Sequence, residues 1–170
     1  MSAQPRYEED GWTLAPSPDS DREALMGWFG SADDVSRWGG PKFRYPFTPE
    51  SFAEDCRWGE IASFSLLDPD DDLAAFGQIY ERLGRINLAR LVVHPARRGA
   101  GVGARLVRML MTAGRDAMGL DEFSLFVYRD NAPALACYRA AGFAIRPYPA
   151  DQPLADVCHY LTRPVRFAAE

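Results

Sequence analysis

The order of apolar patterns along this 170-residue chain predicts an α+β fold. Three observations carry that prediction. Short apolar runs separated by tight turns fill residues 61 to 93, the mark of an antiparallel meander. Helical periodicity takes over at Val102. Phe123 to Val127 is then a nearly continuous apolar run, as expected of a strand covered on both faces, and a second helical stretch follows it.

The first 20 residues are polar and proline-rich, with a strand expected around Trp12 to Ala15. Ser20-Asp21-Arg22-Glu23 starts a helix, with acids in its first turn and Leu25, Met26, Trp28 and Phe29 as its apolar face. Gly39-Gly40-Pro41 breaks the chain. Thr48 caps a further helix that has Pro49 at its first position and runs to about Arg57. Strands are expected at Ile61 to Leu67, Leu73 to Glu81 and Ile86 to Val93, with turns at Asp68 to Asp72 and at Arg82 to Arg85. Val102, Leu106, Met109, Leu110, Ala113 and Ala117 form the apolar stripe of the long helix. Two last strands fall around Phe143 to Tyr148 and Val157 to Leu161.

Composition limits what such a chain does. Its length suits one core, so a single domain over 1–170 is expected. Cys56, Cys137 and Cys158 are odd in number and widely spaced, which suggests neither a disulfide framework nor a zinc site. The acid-rich turn lacks the glycine and final glutamate of a calcium loop, having Leu73 and Ile79 there, and reads as a solvated hairpin turn. No metal is expected. The opening residues Met1 to Arg6 lack an apolar signal core, and no apolar run is long enough for a membrane span. A reducing cytoplasm is the simplest compartment. A net charge of −5 argues against nucleic-acid binding. The arginines Arg97, Arg98, Arg105, Arg108, Arg115 and Arg139 nevertheless gather around the segments described next, which suits a polyanionic small ligand.

Leu91-Val92-Val93-His94-Pro95-Ala96-Arg97-Arg98-Gly99-Ala100-Gly101-Val102-Gly103-Ala104 joins a strand to a helix through alternating glycines. Glycine permits tight turning and close backbone approach, and a helix start offers unpaired N–H groups at the positive end of its dipole. The combination cradles phosphate or pyrophosphate. A P-loop requires Lys-Ser or Lys-Thr after the last glycine, and Ala104-Arg105 stands there instead. A dinucleotide fingerprint is formally met by Gly99, Gly101 and Ala104, with Asp121 and Glu122 roughly 20 residues on. That loop, however, normally follows the first strand of its fold. The third pattern, R-x-x-G-x-G, is met by Arg98, Gly101 and Gly103.

A second block, Asn131-Ala132-Pro133-Ala134-Leu135-Ala136-Cys137-Tyr138-Arg139-Ala140-Ala141-Gly142-Phe143, fits N-x-x-A-x-x-x-Y-x-x-x-G-F. By itself it describes a helix with a glycine stop. The two blocks together, in this order, resemble the signatures of the GNAT superfamily of acetyl-CoA-dependent N-acetyltransferases, over about residues 60 to 163. The resemblance implies a three-layer fold. Its central mixed, mostly antiparallel sheet would have six to seven strands, flanked by about four helices. It implies direct acetyl transfer from acetyl-CoA to an amine, on a small molecule or a peptide, with no nucleic-acid or membrane partner. A homodimer is compatible with it.

The resemblance also assigns residues. The backbone of Leu91, Val92 and Val93 would hold pantetheine as an added strand and polarise the thioester carbonyl through an N–H near Leu91 or Val93. Arg98, Gly99, Ala100, Gly101, Val102, Gly103 and Ala104 would receive the pyrophosphate. Tyr138 would act as general acid toward the departing thiolate. Asn131 would bond pantetheine, cap its own helix, or do both. Many relatives place a basic glutamate where Asn87 stands here. Glu81 is the nearest acid in the hairpin and the candidate base, although turn geometry puts Tyr80 and Gln78 on the face of Asn87 instead. A water chain, or an amine arriving neutral, would replace it. A non-catalytic acyl-CoA-binding regulatory protein is the alternative function. For the aromatic segment from Trp38 to Phe47, acceptor recognition and a hydrophobic plug are the two readings.

Overall fold

The antiparallel meander expected over residues 61 to 93 is present in the computed structural model, which describes residues 5–166. Residues 1–4 and 167–170 lie outside the described residues, and with them the ends of the 1–170 domain and most of the stretch read for a signal core. Strands β3 (Ala62–Leu67), β4 (Leu73–Arg82) and β5 (Arg85–Val93) follow one another antiparallel. Leu83 and Gly84 both take positive φ, so the two-residue turn between β4 and β5 matches the right-handed twist of its strands.

Two elements were not expected from the sequence. A strand β1 (Tyr7–Glu9) pairs with β2 (Trp12–Pro16) through Asp10-Gly11, a two-residue hairpin turn with positive φ at both positions. After α1 (Asp19–Met26), a helix α2 (Ala32–Gly39) starts at Ser31, whose side chain accepts from the Asp34 amide. Helix α3 (Pro49–Asp55) has the expected Thr48 cap, made reciprocal by Ser51. The long helix α4 (Val102–Met118), strand β6 (Glu122–Tyr128), helix α5 (Ala132–Ala140) and strands β7 (Ala144–Arg146) and β8 (Cys158–Pro164) complete the chain. Among the described residues the sheet therefore has eight strands, not six to seven, and five α-helices flank it, not four. The α+β class and the mixed, mostly antiparallel sheet agree with expectation.

The strand order is β1-β2-β3-β4-β5-β6-β8-β7, and only β5 and β6 are parallel. One core lies between the sheet and the face covered by α4 and α5, around Ile79, Ile86, Leu106, Leu110 and Leu125. Gly114 lets α4 close on the sheet, because a Cβ there would collide with Ile86. Ala117 falls outside this core and is exposed. The opposite face carries α1, α2 and α3 over a second core of Leu25, Val35, Phe43, Phe52 and Phe76. Trp38 and Phe47 pack against that core while Tyr45 is exposed, so the aromatic segment is largely a plug. The acidic turn is not simply solvated either. Asp68 is buried, accepts from the Asp70 and Asp72 amides, and takes Arg97 at 2.9 Å on its other oxygen. These bonds hold its carboxyl below the usual range. No described helix is long and apolar enough to cross a membrane.

Candidate functional site

Parallel pairing of β5 and β6 stops after two steps, Ile86 with Phe123 and Asn87 with Ser124. Beyond Asn87 the edge of β5 facing β6 is unpaired, and the two strands enclose a cleft of about 260 Å³. A bulge accompanies the separation. Gln78 pairs with Ala89 and Phe76 with Val92, so Arg90 and Leu91 together oppose Gly77. Arg90 takes φ of 49°, and the Trp38 indole donates to its carbonyl over 2.8 Å. Helix α2 also reaches the other lip of the cleft, where Arg37 grips Asp130 with two bonds of 2.8 and 2.6 Å.

The loop after β5 has the form expected of a phosphate cradle. His94 accepts from the Ala96 amide and caps a short 3₁₀ turn, Pro95–Arg97. Gly99 and Gly101 take φ of 81° and 80°, and a Cβ at either would meet nothing within 4 Å. Gly101 opens α4, and no side chain caps the amides of its first turn. Gly103 is different. It has ordinary helical φ, and a Cβ there would touch Val93 at 3.8 Å and Cys137 at 3.9 Å. The end of β5, the start of α4 and the flank of α5 therefore converge at this glycine. Val102 is buried in the core and anchors the loop, whereas Ala104 is half-buried and Ala100 exposed. Arg98 is exposed and has no carboxylate partner among the described residues. The wider basic cluster is largely neutralised. Arg97 binds Asp68, Arg105 binds Glu9 and Asp10, and Arg108 binds Glu9.

Helix α5 presents Tyr138 and Asn131 to the same cleft, with Leu91 across from them. The Tyr138 phenol makes no hydrogen bond among the described residues, and burial raises its pKa above the usual value, with Cys137 adding in the same direction. Asn131 caps α5 by accepting from the Ala134 amide at 3.3 Å, which leaves its own NH₂ group available. Burial raises the thiol pKa of all three cysteines, Cys56 to about 12, which keeps them from being ready nucleophiles.

The cleft continues through the sheet to the face of α2. Asn87 lies on that side, buried, and accepts from the Ser124 hydroxyl at 3.0 Å. Tyr80 is its cross-strand partner. Glu81 pairs with Ile86, whose side chain packs against α4, so Glu81 points to the opposite face and does not line the cleft. It is exposed there. The structure thus does not bring the candidate base to the other candidate residues, for the alternation reason already visible in the hairpin.

Trp38, from the aromatic segment singled out in the sequence, lines the cleft. Other residues there were not foreseen: Arg37 on α2, Arg82 at the end of β4 and Tyr148 line it, and Gln152 bonds Arg82. The signal for α2 was present in Ser31-Ala32-Asp33-Asp34, a helix start with a cap and early acids. No local signal pointed to Tyr148 or Gln152, which reach the site only through β8 returning beside β6.

Residues 32–143, more than half of the chain, match the acetyltransferase (GNAT) family. A mycothiol acetyltransferase of Clavibacter michiganensis is 43% identical over 79 residues, covering 45% of this chain and 24% of that protein. Its counterpart in Clavibacter sepedonicus is 39% identical over 90 residues, covering 51% of this chain and 28% of that protein. The chain thus spans about a quarter of the length of these curated relatives. Among solved structures, a spermidine N-acetyltransferase from Vibrio cholerae in complex with CoA and spermine superposes with a TM-score of 0.72 at 14% identity, over 92% of this chain and 96% of that one. The ribosomal-protein-S18-alanine N-acetyltransferase from Escherichia coli gives 0.64 at 22% identity, over 94% and 97%. These two likenesses establish the fold.

Proposed function

Because the chain belongs to the acetyltransferase (GNAT) family, we propose that it transfers an acetyl group directly from acetyl-CoA to an amine. One observation supports this most. The uncapped start of α4, with Gly101 at positive φ, opens beside a cleft that runs between β5 and β6 past the unbonded Tyr138 phenol. The residues fit the co-substrate: amides from Arg98 to Ala104 suit its pyrophosphate, Arg98 adds a charge without a competing carboxylate, and the unpaired edge of β5 from Leu91 to Val93 suits an extended pantetheine arm. Acetyl-CoA supplies an activated acetyl group as a thioester.

The chain's own residues then orient and stabilise. A backbone N–H near the bulge at Leu91 stabilises negative charge on the carbonyl oxygen during attack. Tyr138 holds its proton throughout the neutral range, since burial raises its pKa, and gives it to the leaving sulfur. No carboxylate lines the cleft among the described residues. The amine therefore arrives neutral or loses its proton to water. Self-association as a homodimer and a cytoplasmic location belong to the same reading.

The absent carboxylate also supports a second reading, an acyl-CoA-binding regulator that has lost turnover. Two measurements test both. Calorimetry with acetyl-CoA, CoA and NADP should show binding of the first two and not the third. Thiol release with a broad amine panel should occur for a transferase. Tight acetyl-CoA binding with no thiol release from any amine would favour the regulator.

A further inference from the structure

Resting on the transferase reading, we propose that the acceptor is a small amine that also carries a carboxylate, and that Arg82 is the residue that recognises it. The lining of the cleft is unbalanced in charge. Three guanidiniums, Arg37, Arg82 and Arg90, reach it, and no aspartate or glutamate does among the described residues. Arg37 is already committed to Asp33 and Asp130. Arg90 is held by Gln78 at 2.9 Å, with its Nε–H buried and unpartnered. Arg82 has no carboxylate within ion-pair distance among the described residues, unlike Arg44, Arg57, Arg85, Arg97, Arg105 and Arg108 elsewhere in the fold.

Arg82 is also held in a presenting geometry. Its guanidinium carbon sits 4.1 Å from the centre of the Phe126 ring, on the strand that forms the other wall of the cleft. One Nη donates to Gln152 at 2.8 Å, and the other approaches the Tyr80 hydroxyl at 3.5 Å. Stacking and these two contacts fix the plane of the group, while at least three of its five N–H donors are left for a ligand. A planar, oriented guanidinium is suited to bidentate recognition of a carboxylate. Tyr80, which shares the face of Arg82, is the cross-strand partner of Asn87 at the point where β5 and β6 part. An anionic group bound at Arg82 would thus lie on the acceptor side of the gap, across from Tyr138 and the phosphate loop. The volume of about 260 Å³ suits a ligand the size of an amino acid. The same charge balance disfavours polyamines, which need acids to bind.

Thiol release from acetyl-CoA, measured with each of the common L-amino acids beside its C-terminal amide and with spermidine, tests the proposal. The best carboxylate acceptor should exceed its own amide by on the order of ten- to a hundredfold in kcat/KM, the range of a charge-assisted pair. Arg82→Ala should remove that preference by raising KM for the acid far more than KM for the amide, with acetyl-CoA affinity measured on the same preparation. Arg82→Lys should restore part of it. Gln152→Ala, which removes one of the contacts that orient Arg82 but not the charge, should lower the preference less than Arg82→Ala does. Amides or spermidine turning over as well as the acids, or Arg82→Ala slowing acid and amide equally, would overturn the proposal. If no amine releases thiol, the transferase reading fails separately. Ligand-observed NMR with the same acids and amides on the CoA-loaded protein then decides the question. Acid-selective binding lost in Arg82→Ala upholds the carboxylate site, and its absence overturns it.

Discussion

The Ser124 hydroxyl donates to the Asn87 amide oxygen over 3.0 Å, at the last paired step before β5 and β6 separate. Both side chains are buried. Asn87 is therefore an acceptor engaged with its neighbour and offers no site for a proton. With Glu81 on the opposite face, turnover should track the neutral fraction of the acceptor amine. The rate should rise with pH and bend near the acceptor's own pKa, and a less basic acceptor should move the bend down by a similar amount. Glu81→Gln should leave this profile unchanged. The Tyr138 phenol must stay protonated to act, and its pKa is raised, so no falling limb should appear below about pH 10. A bend that stays fixed as the acceptor changes would point to a protein base.

Tyr138→Phe should lower kcat by about 10²–10⁴-fold where chemistry limits the rate, with little change in acetyl-CoA affinity. The phenol has no hydrogen bond among the described residues that the variant would break, so the fold should be unaffected. Single-turnover rates and calorimetry separate the two quantities. Wild-type turnover in this variant would remove Tyr138 from the mechanism.

Gly101 and Gly103 should respond differently to substitution. Gly101→Ala forces a side chain into left-handed φ and should cost roughly 1–2 kcal/mol. Gly101→Glu should fold but lose acetyl-CoA binding, because the carboxylate would occupy and repel the phosphate position. Gly103→Ala meets only ordinary contacts at 3.8 and 3.9 Å and should unfold at nearly the wild-type denaturant concentration. Tight acetyl-CoA binding by folded Gly101→Glu would refute the phosphate cradle.

Trp38→Phe keeps the aromatic packing against Phe52 and Phe76 but removes the N–H that satisfies the Arg90 carbonyl. Leaving that part-buried acceptor unpaired should cost roughly 1–3 kcal/mol. Relaxation of the bulge should also lower kcat more than it weakens acetyl-CoA binding, since the bulge positions the backbone near Leu91. Denaturant titration and turnover on the same preparation check both effects.

Asp68→Asn should destabilise the protein in a pH-dependent way. The carboxyl of Asp68 has a lowered pKa through the Asp72 amide and Arg97, so its contribution is fully present above its unfolded value near about 4. That contribution is lost as pH falls through the lower folded value. The gap in thermal midpoint between wild type and variant should be widest near neutrality and close in acid. A gap independent of pH would mean that shape, not charge, makes the turn.

The sequence by itself determined the features that depend on near neighbours. Gly99, Gly101 and the α4 start announce a phosphate loop because turn geometry and helix ends are local properties. The meander from Ile61 to Val93 follows from alternation and from Leu83-Gly84, and the same alternation already turned Glu81 away from Asn87. The hairpin at Asp10-Gly11 and the Ser31 cap of α2 were equally local, and lay in a stretch whose polarity hid them. Only the tertiary structure decided the rest. The Arg90 bulge depends on an indole 52 residues away in the chain. The stacking of Arg82 on Phe126, with Gln152 beside it, joins three separate segments. The partners of Arg97, Arg105 and Arg108, which turn an apparent basic cluster into ion pairs, lie in the acidic turn and the first hairpin. Charge and hydrogen bonding act across space over a few ångströms, and composition along the chain does not record which groups the fold will bring that close.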